Sequence, residues 1–81
     1  MAYTELFEQA QLSTMLEAYK DAVTEWIIAI REEEDLASAN PSVAQVDDWE
    51  HAHFKEEEVR NKAKKAKKDY ENAIRRSLFG F

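Results

Sequence analysis

Residues 37–42 read Ala-Ser-Ala-Asn-Pro-Ser and contain the only proline of this 81-residue chain, whose only glycine is Gly80. Proline disfavours a helical conformation in the residue before it, and proline itself fits the start of a helix. The apolar residues on both sides of this stretch recur with helical spacing. We therefore predict an all-α fold with one domain: a helix over about residues 4–37, a turn at 38–42 and a helix over about 42–78, folded into an antiparallel hairpin.

The start of the second helix has two possible caps. Ser42 and Gln45 have the spacing of a capping box, in which each side chain accepts a hydrogen bond from the other residue's backbone N–H. Alternatively, Asn40 caps the helix and Pro41 is its first residue. The sequence leaves this boundary open.

Composition excludes several classes of protein. A net charge of −6 argues against general affinity for nucleic acids. The absence of cysteine excludes disulfides and thiolate metal sites, and no signal peptide is recognisable, so we expect a cytoplasmic protein. The longest apolar run, residues 26–30, is too short to span a membrane.

Both predicted helices carry a heptad pattern. In the first helix, apolar residues separated alternately by four and three positions form a row of large side chains: Leu12, Leu16, Tyr19, Val23, Trp26 and Ile30. A second row lies beside it and consists of Met15, Ala22, Ala29 and Leu36. In the second helix the row contains many alanines: Trp49, Ala52, Glu56, Val59, Ala63, Ala66, Tyr70 and Ala73. We expect the two patterns to face each other, in a register that sets Glu25 opposite Lys55.

An apolar belt is predicted where the two helices carry large residues outside these rows. Five successive apolar residues at about 100° each surround the first helix at residues 26–30, and a helix that is apolar all round is normally enclosed by partners. We define the apolar belt as Trp26, Ile27, Ile28, Ile30 and Phe54. It predicts a homodimer in which two hairpins form a four-helix bundle.

A metal site is the second hypothesis. Glu50 and His53 have the Glu-x-x-His spacing of ferritin-like di-metal carboxylate proteins, and Glu25 or Glu32 could complete such a site across a dimer. The favoured interpretation is a partly exposed Glu–His pair beside the seam, so no cofactor is predicted.

A basic patch is the third hypothesis. Lysines concentrate in one part of the second helix, at Lys62, Lys64, Lys65, Lys67 and Lys68, and could bind phosphates or another anionic surface. No aromatic side chain nearby offers base stacking. The favoured interpretation is therefore a solvated face paired with the acidic first helix.

The end of the chain is apolar. We predict that Leu78, Phe79 and Phe81 cover Tyr3 and Phe7, with Gly80 at a positive φ turning the chain back. The alternative is a peptide that docks on an unidentified partner protein.

The sequence contains no Ser-His-Asp or Cys-His constellation and no glycine-rich phosphate loop. We therefore predict a non-enzymatic helical module for assembly or protein–protein interaction.

Overall fold

A computed structural model describes residues 2–37 and 39–80, with side chains from residue 8 onward. It contains two helices, α1 (Ala2–Leu36) and α2 (Val43–Phe79), and no strand occurs in the described ranges. The helices pack antiparallel: the Glu32–Lys55 ion pair lies nearer the turn and the Tyr19–Tyr70 ring contact lies further from it. The predicted all-α hairpin is confirmed, and it forms a rod with dimensions of 63 × 18 × 14 Å.

The capping box closes the start of α2. Ser42 Oγ accepts from the Gln45 N–H at 3.3 Å, and Gln45 Oε1 accepts from the Ser42 N–H at 2.7 Å. Ser42 itself is extended, with φ −87° and ψ 169°. Ser42, rather than Asn40, is therefore the N-cap, because its side chain satisfies one of the N–H groups that a helix start leaves without a partner.

Gly80 ends α2. Its φ of 75° and ψ of 14° lie in the left-handed region, and its N–H donates to the Arg76 carbonyl at 2.9 Å. Glycine adopts this conformation without the steric cost that a side chain would add. The predicted positive φ at Gly80 is confirmed.

Small residues occupy the centre of the helix–helix seam. Of the described residues, those that are buried are Ala22 and Ala29 of α1 and Glu56 and Ala63 of α2. The two alanines of α1 belong to the row that was predicted to lie beside the seam. The most buried positions of the seam are therefore three alanines and Glu56, and the large residues of the first α1 row are half-buried.

The predicted pairing of Glu25 with Lys55 is wrong, although both residues line the same groove. Glu25 pairs with Lys62, at 3.1 Å, and Lys55 pairs with Glu32, at 3.1 Å. Helical side chains lean toward the N-terminus of their own helix, so facing side chains in an antiparallel pair lean in opposite directions. The partner of Glu25 therefore lies further along α2 than the position of the turn suggests.

Neither helix contains, within the described residues, a segment long and apolar enough to cross a lipid bilayer.

Candidate functional site

An acid–histidine cluster joins the two helices. It consists of Glu33 on α1 with His53 and Glu56 on α2, and one oxygen or nitrogen atom from each lies within 4.8 Å of the others. His53 Nδ1 and Glu33 Oε1 are 3.1 Å apart. The cluster is open to solvent on one side, because His53 is exposed while Glu56 is buried.

Glu56 is the buried member of this cluster, with an exposed fraction of only 7%. Its Oε1 accepts a hydrogen bond from Trp26 Nε1 at 2.7 Å. No lysine or arginine of the described chain forms an ion pair with it. The arrangement therefore holds a carboxylate at the helix–helix seam with an indole donor but without a cation.

The structure does not bring the four predicted metal ligands together within one chain. Within one chain, His53 is the only one of the four that belongs to the acid–histidine cluster as the structure describes it. Glu25 and Glu32 bind Lys62 and Lys55, and Glu50 is exposed. A site shared across a dimer stays a prediction.

Sequence analysis missed Glu33 and Glu56 as candidate ligands. Glu56 was recognised as a seam residue, and a single carboxylate in a row of alanines and aromatic residues is the signal that pointed to it. Glu33 gave no such signal, because it stands in the acidic run at residues 32–35 and only the register identifies it as the neighbour of His53.

The apolar belt is largely uncovered in one hairpin. Exposed fractions are 43% for Ile27, 50% for Ile28 and 66% for Phe54, whereas Trp26 and Ile30 are half-buried. These are large apolar side chains in contact with water, and they lie on more than one side of the rod because successive helical residues differ by about 100°.

Two shallow grooves contain members of the belt. Ile28 lies in a groove that Glu25 and Lys55 also line, together with Ala29 and Val59. The other groove brings Ile30 next to Trp49, with three further lining residues, Glu33, Glu34 and Ala37. Trp49 was predicted as a seam residue, but it is exposed and extends the apolar surface toward the turn.

Three lysines of the predicted basic patch form ion pairs. Lys62 binds Glu25 across the hairpin, while Lys65 binds Asp69 and Lys67 approaches Glu71 to 3.9 Å within α2. Lys64 and Lys68 are exposed. This layout is typical of a solvated helix face with acidic neighbours.

The predicted tail contacts are described only in part. Leu78 and Phe79 are exposed at the end of α2. Tyr3, Phe7 and Phe81 lie outside the side chains that the structure describes. The apolar cap therefore stays a prediction.

Comparisons with protein-family models, curated proteins and solved structures gave no significant match for this chain.

Proposed function

We propose that this chain is a non-enzymatic helical assembly module, in which the apolar belt binds a second copy of the hairpin to form a four-helix bundle. The observation that carries the proposal is the composition of the core. Within the described residues the buried apolar side chains are all alanines, and no large side chain is fully buried. Large apolar side chains normally stabilise a domain of this size by being buried. In this hairpin they stay available for an intermolecular contact.

The exposed area supports the same conclusion. The hairpin exposes 6534 Å², whereas a compact monomer of 9.5 kDa is expected to expose about 5,000 Å². The excess, roughly 1,500 Å², exceeds the ~800 Å² that each partner contributes to a standard interface. One hairpin face could therefore be covered by a second copy.

Charge favours an antiparallel arrangement of the two hairpins. Residues 1–58 contain fifteen acidic and three basic residues, whereas residues 59–81 contain two acidic and eight basic residues. The acids at 32–35 and 47–50 lie near the turn, and the bases of α2 lie toward the other end of the rod. A two-fold axis across the rod would place each acidic end beside a basic end, while parallel hairpins would place like charges together.

Sedimentation equilibrium of the full chain at tens of micromolar tests the proposal. We expect a mass of twice the 9.5 kDa of one chain. A mass of 9.5 kDa at that concentration would refute self-association and would leave an unidentified protein as the partner that covers the belt. The cytoplasmic location stays a prediction from the sequence.

A further inference from the structure

We propose that Glu33, His53 and Glu56 bind a divalent transition-metal ion of the Zn²⁺ or Co²⁺ type between the two helices of a single chain. This site is separate from assembly through the apolar belt, because all three ligands come from one hairpin.

Glu56 is a buried acid without a lysine or arginine partner among the described residues. A buried carboxylate is costly unless a cation or a metal ion compensates it, and a hydrogen bond from a neutral indole supplies no charge. Across the hairpin, the neighbouring acids Glu25 and Glu32 each have a lysine partner. Glu56 has none among the described residues, so a cation at the cluster would supply the charge that the fold leaves out.

The donor atoms of the cluster suit an ion of the zinc type. One imidazole and two carboxylates are the ligands of zinc-type ions, and three protein ligands leave a coordination position for water. The donor atoms lie within 4.8 Å of one another, while two ligands of a tetrahedral ion of this type are about 3.4 Å apart. Small side-chain rotations would therefore close the site.

A hydrogen bond orients one of the three ligands. Trp26 donates to Glu56 Oε1 at 2.7 Å and thereby restricts the orientation of this carboxylate. Hydrogen bonds of this kind hold metal ligands in place in known sites. His53 is exposed, so an ion reaches the cluster from solvent.

The competing occupant is a proton. A protonated His53 would form an ion pair with Glu33 at the same 3.1 Å distance. A metal ion and a proton therefore compete for His53.

A cobalt titration of the Trp49→Phe variant tests the site, because Trp26 is then the only tryptophan and it contacts a ligand directly. We expect Co²⁺ to quench its fluorescence with a stoichiometry of one ion per chain, and Zn²⁺ to reverse the quenching. His53→Ala should weaken binding at least about tenfold, since even removal of a residue that supports a ligand costs tenfold or more. Glu33→Gln should also weaken it.

His51→Ala is the matched control. His51 is also exposed on α2, but its ring Nδ1 lies 2.8 Å from the Asp47 carbonyl of its own helix. Its removal should leave cobalt affinity unchanged, and sedimentation should show the same mass for both histidine variants. Equal cobalt affinity in His53→Ala and His51→Ala would overturn the proposal, as would an absence of quenching in the parent variant.

Discussion

Replacing Ile28 with glutamate should dissociate the dimer of hairpins. Ile28 is 50% exposed in a single hairpin, and full burial of an isoleucine contributes about 1.5–3 kcal/mol. Covering the remaining half of the side chain is therefore worth about 0.8–1.5 kcal/mol per chain. A two-fold dimer contains this residue twice, so the loss is about 1.5–3 kcal/mol, or ten- to a hundredfold in Kd.

The introduced carboxylate adds a further cost. It would lie in the groove that Glu25 already lines, and the lysine of that groove, Lys55, is engaged by Glu32. An acid covered by a second hairpin without a cation is strongly unfavourable. We therefore expect dissociation to exceed the effect of the lost apolar area.

Sedimentation velocity over a hundredfold range of concentration measures the change in Kd, and circular dichroism checks that the helices remain. Ser13→Glu is the control, because it adds the same charge at an exposed position of α1 about 22 Å from Ile28 along the helix. The reasoning would be refuted if Ile28→Glu kept the wild-type Kd, or if the control variant dissociated to the same extent.

Three further predictions concern orientation, the seam and the tail. Spin labels on Ala39→Cys should lie at a distance close to the 63 Å length of the rod if the hairpins are antiparallel; a short distance between labels means a parallel pair. Trp26→Phe removes the hydrogen-bond donor to Glu56 and should lower the free energy of unfolding by about 1–3 kcal/mol in urea denaturation. An unchanged midpoint would contradict it. Deleting residues 78–81 should lower Tm and increase hydrogen exchange at residues 3–7; unchanged stability with loss of a cellular partner would identify the tail as a recognition peptide.

Local chemistry explains why the helices and their ends could be predicted. The hydrogen bonds of Ser42 and Gln45 connect residues three apart, and Gly80 needs only its own missing side chain to adopt a positive φ. Such features depend on neighbouring residues alone. The heptad pattern likewise predicted that one face of each helix would meet the other.

The register could not be predicted from the same information. The sequence predicts Lys55 opposite Glu25, whereas the structure pairs Glu25 with Lys62 and sets Trp26 against Glu56. The direction in which the side chains lean determines which residues of the two helices pair. That direction matters only once the helices are packed antiparallel. The register places Glu33 beside His53. Because the register could not be predicted, the acid–histidine cluster could not be predicted either.

The hydrogen bond of Trp26 to the buried Glu56 restricts how the two helices can slide past each other. If α2 slipped by one heptad, Trp26 would face Ala63 or Trp49 in place of Glu56. In either case its indole N–H would lose its acceptor, and the Glu56 carboxylate would remain at the seam without the donor that now satisfies it. A polar residue in an otherwise apolar seam is a recognised means of fixing register at some cost in stability. Glu56 thus has two consequences: its hydrogen bond selects one alignment of the helices, and its uncompensated charge in that alignment creates the place for a cation.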